Sequence, residues 1–169
     1  LGGFSPNSHV KRRLIMAPAV VEHTEYPFAR GDLTSDGVQW SVEEDTTTVD
    51  TDVVVESVTI KPPALGEVLE VELGLTAAFR AVSSATADLI YKWQARNKGG
   101  TWVDLHSAVT KTNIGTTYVE ETRSGRFPTQ SGFDSLPFEV RLIVQCNEAN
   151  EGRARTKNSS YVRVKYAAS

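Results

Sequence analysis

The sequence predicts an all-β protein, an antiparallel β-sandwich of immunoglobulin-like or jelly-roll type with an extended N-terminal arm. Three observations carry this. Apolar residues recur at a spacing of two in several segments between residues 52 and 166, and turn-forming residues separate those segments. No stretch shows the period of a convincing amphipathic helix. Two packed sheets bury one face of every such strand, so a sandwich is the natural solution.

Residues 1–50 differ from the rest, because they lack sustained alternation and carry Pro6, Pro18 and Pro27. They are expected to form an extended arm and linker, with residues 51–169 as the sandwich domain. The arm is expected to end in one strand, GVQWSVEED at 37–45, through Val38, Trp40 and Val42. Val10, Leu14, Ile15, Met16, Val20 and Val21 are too apolar for a free tail. The arm is therefore expected to lie on the sandwich or on a neighbouring subunit. Its candidate contact residues are Lys11, Arg12, Arg13, Leu14, Ile15 and Met16, a basic cluster leading into an apolar one. EEDTTTVDTD, residues 43–52, reads as an acidic, Thr-rich linker.

DVVVESVTI (52–60) is a β-branched strand. The decisive segment is EVLEVELGLTAAFRAV, residues 67–82. Leu69, Val71, Leu73, Leu75, Ala77, Phe79 and Ala81 fall on one side of a strand, whereas a helix would scatter them around its circumference. That side is expected to be buried. DLIYKWQARN (88–97) turns Leu89, Tyr91, Trp93 and Ala95 inward, and NKGG leads into TWVDL (101–105) as a hairpin. IGTTYVEET (114–122) reads as a weaker strand, and RSGRFPTQSGFDSLP (123–137) as the longest loop. FEVRLIVQC (138–146) buries Phe138, Val140, Leu142, Val144 and Cys146. SYVRVKY (160–166) alternates again.

Composition excludes more than it identifies. With 169 residues, 40% hydrophobic and 23% charged, the chain has ordinary globular composition. No apolar run approaches the ~18 residues of a membrane span. Cys146 is the single cysteine, so no intrachain disulfide forms. The chain begins at Leu1 without Met, as expected of a processed product or a segment of a longer one. The net charge of −3 is unevenly placed: residues 1–82 hold 6 Lys+Arg against 13 Asp+Glu, and residues 83–169 hold 12 against 8. Acidic and basic surfaces of neighbouring copies are expected to meet. An acidic balance argues against nonspecific nucleic-acid binding.

No assembled reaction centre is legible. His9, His23 and His106 lie far apart, and no HExxH, Cys/His pair or GxSxG occurs. NKGGT and LGGF lack the Lys-Ser/Thr continuation of a phosphate loop. Glu43, Glu44, Asp45, Asp50 and Asp52 do not match a calcium loop. No catalytic residue, metal or cofactor is expected, and the chain is not expected to be an enzyme. Arg30-Gly31-Asp32 reads as a turn. Trp40, Trp102, Tyr118 and Tyr161 are candidate sugar platforms. The expected function is a structural subunit of a larger assembly, such as a bacteriophage capsid or decoration protein or a cell-surface protein. Its expected partner is itself or a neighbouring coat subunit, at a virion or extracellular surface. The alternative is a carbohydrate-binding or adhesive module.

Overall fold

The computed structural model describes residues 17–30, 37–128 and 132–168. The strands are β1 (Val20–Glu25), β2 (Glu44–Asp45), β3 (Val53–Ile60), β4 (Gly66–Ala81), β5 (Leu89–Asn97), β6 (Val103–Asp104), β7 (Val109–Lys111), β8 (Val119–Pro128), β9 (Phe138–Cys146), β10 (Gly152–Thr156) and β11 (Tyr161–Ala168). They form two antiparallel sheets packed face to face, the all-β sandwich that the alternation predicts. No helix among the described residues is long and apolar enough to cross a membrane.

The six-stranded sheet is built on β4. Along one edge of it lie β10 and β11, end to end, pairing Ala77–Ala81 and Gly66–Gly74 respectively. Along the other edge lies β8, paired from Glu70↔Pro128 to Phe79↔Val119. The five-stranded sheet runs β3-β9-β5-β6, with β7 also on β5. Alternation places Val71, Leu73, Leu75, Ala77, Phe79 and Ala81 of β4 against Leu89, Tyr91, Trp93 and Ala95 of β5 and the inward row of β9. The Phe79 and Tyr91 rings stack across the sandwich with centroids 4.6 Å apart. Cys146 is free and fully buried at the end of β9.

One member of the expected inward row of β4 is turned out. Leu69 is 42% exposed, while its neighbour Val68 is 2% exposed. The register against β11 passes from Lys165↔Glu70 directly to Tyr166↔Val68, which leaves Leu69 as the extra residue of a β-bulge. One inserted residue reverses the parity of everything beyond it.

A second difference concerns residues 114–137. The strand begins at Val119 and continues through Pro128, so the first part of the expected loop is sheet. The Ile114 N–H donates to the Ala87 carbonyl at 2.9 Å, which holds the preceding segment in a turn. Glu121, Arg123 and Gly125 lie on the inward side of β8, opposite Ala77, Leu75 and Leu73. No apolar alternation therefore marks this strand.

The described part of residues 1–50 lies along the same sandwich. β1 pairs with β11 from Val20↔Ala167 to Glu25↔Val162. Phe28 is 1% exposed and meets Trp93 edge-on at 5.4 Å. The expected strand at 37–45 is reduced to a single bridge, Trp40↔Lys157, followed by the two residues of β2 on β10. Val42, expected on its inner side, is 80% exposed. The acidic segment beyond is not a free linker. Thr46 is fully buried, its N–H donates to the Gly152 carbonyl at 3.0 Å, and its hydroxyl accepts the Gly152 N–H at 3.0 Å. Gly152 has to be glycine, since a Cβ there would lie 2.5 Å from Thr46 Oγ1. Lys11, Arg12, Arg13, Leu14, Ile15 and Met16 lie outside the described residues, as do Gly31 and Asp32.

Candidate interaction face

The outward side of the six-stranded sheet carries the most concentrated polar chemistry. Because Ala77, Phe79 and Ala81 face the core, the strand's alternation sends Thr76, Ala78 and Arg80 outward. On β10 the same alternation buries Gly152, Ala154 and Thr156 and sends out Arg153 and Arg155. Lys157 follows directly and bridges Trp40. Arg155 lies opposite Ala78, whose small side chain leaves room for a guanidinium to lie over the sheet.

Most of these cations are neutralised at home. Arg80 donates to both oxygens of Glu43, at 2.9 and 3.1 Å from Nη2. Arg153 reaches Asp45 at 2.6 Å and Glu43 at 3.3 Å. Lys157 reaches Glu120 at 2.8 Å. Two acids of the expected linker, Glu43 and Asp45, are thus counter-ions to β4 and β10. Among the described residues no group of His, Cys, Asp and Glu has the arrangement of a metal site.

Arg155 is the exception. Its guanidinium carbon lies 3.8 Å from the Tyr118 ring centroid and 4.2 Å from that of Trp40. Arg80 also lies over Tyr118, at 5.2 Å, and the Lys157 ammonium over Trp40, at 5.1 Å. The aromatic faces attract these cations through the ring quadrupole. Yet among the described residues Arg155 has no carboxylate within ion-pair distance, and its Nε and the Tyr118 hydroxyl are both buried without a hydrogen-bond partner. Burial pulls the Arg155 pKa below its ordinary value, although Glu43 and Glu120 act in the opposite direction. A guanidinium stays charged through any such shift near neutrality. The arrangement presents a cation in close contact with two rings.

The four aromatic candidates do not make one platform. Trp40 and Tyr118 meet around Arg155. Trp102 lies beside the five-stranded sheet, with the Arg96 and Arg141 guanidinium carbons 4.2 and 4.0 Å from its ring centroid. Tyr161, on β11, donates its hydroxyl to Glu72 at 3.0 Å and packs near Tyr26. The histidines are also apart. His23 on β1 bonds Glu25 at 2.9 Å. His106 follows β6 in the other sheet and accepts the Trp93 N–H at 3.2 Å through Nε2. That assigns the ring proton to Nδ1, which donates to the Ser107 carbonyl at 2.7 Å.

Arg80, Arg153, Arg155 and Lys157 were not singled out by sequence reasoning. Their signal was the alternation in GRARTK, residues 152–157, a short strand with cations on one side and small residues on the other.

No family model and no curated protein matches the sequence. Solved structures do share the fold. A chain in the structure of infectious bursal disease virus, Gt strain, aligns over 99% of this chain and 37% of its own length, at 13% identity and a TM-score of 0.51. A chain of T=1 particles derived from the same virus aligns over 96% and 36%, at 11% identity and a TM-score of 0.52. A xylan-binding module, CBM15, aligns over 90% and 99%, at 12% identity and a TM-score of 0.40. This chain spans less than two fifths of the viral chains it resembles. At these identities the likeness to the viral chains is one of fold.

Proposed function

We propose that this chain is a non-enzymatic structural subunit of a larger assembly, of capsid or decoration type in a virion or of a cell-surface layer. It works through protein–protein contacts at its sheet faces. The observation that carries the reading is the overlay of nearly the whole sandwich on part of chains that occur in infectious bursal disease virus particles. Fold alone does not determine function, so the reading also rests on surface chemistry. The first 82 residues have 13 acids to 6 Lys+Arg, and the remainder 8 to 12. Complementary surfaces of that kind set register between copies.

Carbohydrate binding is the competing reading. The rings of Trp40, Tyr118 and Trp102 each have guanidinium or ammonium groups over them. A pyranose would have to displace those cations to stack there, which favours the assembly reading.

Size-exclusion chromatography with light scattering, over a range of protein and salt concentrations, tests the proposal. Association into multiples of the monomer mass supports it. A monomer at every concentration that binds a neutral oligosaccharide on a glycan array replaces it with the alternative.

A further inference from the structure

We propose that Arg155, held between Trp40 and Tyr118, is an anchor for an Asp or Glu side chain on a second copy of this chain. The inference rests on the assembly reading and names the contact through which copies would meet.

Among the described residues the patch is incomplete. Around it Arg80, Arg153 and Lys157 each have a carboxylate partner within 3.0 Å. Arg155 has none, and two buried polar atoms in the same cluster, its Nε and the Tyr118 hydroxyl, lack hydrogen bonds. Orphaned buried groups are uncommon in native structures, but both of these atoms are closed off from solvent, so an incoming carboxylate would meet the terminal nitrogens instead. Among the described residues the terminal nitrogens of Arg155 find no hydrogen-bond partner, and they are not among the buried orphans. The Tyr118 and Trp40 rings, 3.8 and 4.2 Å from the guanidinium carbon, restrict its freedom, so its fork would need less further ordering to take a carboxylate with two parallel hydrogen bonds.

The chemistry favours an anion over a sugar ring. Arg155 and Lys157 lie over Trp40, and Arg155 and Arg80 over Tyr118. What the patch offers a visitor is the edge of a cation rather than an open aromatic face. The charge balance favours a second copy as its source. The chain has 21 acids to 18 Lys+Arg. Glu67, outward on β4 at the far end of the same sheet, is exposed and lacks an ion pair among the described residues. A contact between Arg155 of one copy and Glu67 of the next would join different patches. Such heterologous contacts close into rings or propagate, according to the rotation between copies.

The test compares the full chain with its Arg155→Gln and Arg155→Lys variants by sedimentation velocity, with thermal unfolding as the control for fold. The expected result is that the wild type associates and that Arg155→Gln weakens association about tenfold or more. Arg155→Lys is expected to restore little of it, because an ammonium cannot make the planar fork. Unfolding temperatures should stay close to the wild type. If the wild type associates and Arg155→Gln associates equally well, the anchor is wrong while the assembly reading stands. If the wild type remains a monomer throughout, both fail. A second arm titrates each protein with hyaluronan oligosaccharides, whose uronate is a carboxylate from another source. Tight binding that Arg155→Gln abolishes, with association unchanged, overturns the protein occupant in favour of an acidic glycan.

Discussion

Glu56 holds Ala29: both oxygens of its carboxylate accept the Ala29 N–H at 3.1 Å. Ala29 has φ of 51° and is 1% exposed, a backbone conformation that alanine adopts at some cost. Glu56 is turned toward the sandwich interior, opposite Leu142, beyond a register shift in β3, and it also accepts from the Thr156 hydroxyl. Glu56→Ala leaves both donors without their acceptor and is expected to cost about 1–3 kcal/mol. Urea denaturation measures this directly. A change under about 0.5 kcal/mol, the size usual for an ordinary surface substitution, would show that the turn is held by other contacts.

Phe28 tests whether the segment before residue 50 belongs to the core. Its ring is fully buried against Trp93. Phe28→Ala should therefore destabilise by about 3–5 kcal/mol, like truncation of any core aromatic. Phe79→Ala, at the centre of β4, provides the yardstick. If Phe28→Ala is silent while Phe79→Ala is not, residues 26–30 are an appendage.

Val68 and Leu69 make a sharper pair, because they are adjacent and differ by parity alone. Val68→Ala removes buried methyls and is expected to cost roughly 1–2.5 kcal/mol. Leu69→Ser lies on the exposed bulge and should fall within about 0.5 kcal/mol of the wild type. The opposite order of effects would place the bulge elsewhere in β4.

Glu151 sets an acid limit that can be read by pH. It accepts the Ser83 and Ser84 N–H groups, each at 2.8 Å, and the Ser83 hydroxyl at 2.7 Å. Those hydrogen bonds hold its pKa down, from 4.5 to about 2. A depressed folded-state pKa stabilises fully above the unfolded value, and the contribution is lost as pH falls through the folded one. The unfolding temperatures of wild type and Glu151→Gln should differ at pH 6 and converge between pH 4.5 and 2. Curves that run parallel through that window would sink the assignment.

Tyr118 and Tyr166 each bury a hydroxyl that has no partner among the described residues. Tyr166→Phe is therefore expected to be neutral or to stabilise by up to about 1 kcal/mol, since it removes a desolvated group that gains nothing in return. A clear loss of stability would reveal a hydrogen bond to ordered water.

The long strands were legible because burial on one side imposes a period of two on the sequence. From Val71 to Ala81 of β4, and along β5 and β9, the inward rows are those that the alternation marks. The pattern failed where something other than an apolar side chain filled the inward position. β8 turns Glu121 and Arg123 inward, and Leu69 sits where one extra residue breaks the count. Trp40 and Tyr118 were recognisable as exposed-aromatic candidates. Their meeting around Arg155 was not, because strand pairing brings it together from segments more than 30 residues apart in sequence.

β8 has a wider consequence for how such a protein stays usable at high local concentration. Among the described residues it pairs with β4 alone, which leaves a ten-residue margin of main chain without a neighbour. Its inward side carries Glu121, bound to Lys111 and the Tyr91 hydroxyl, and Arg123, which donates to that same hydroxyl at 3.2 Å. A strand from another molecule that docked there would have to strip water from charges already committed to these partners. Inward charge is a recognised guard on an open edge. Growth by strand addition at this edge, a route toward irreversible fibres, is thereby made unfavourable. Contacts through side chains on the sheet faces, the route proposed above, would avoid this edge, and charged contacts of that kind would weaken as salt rises.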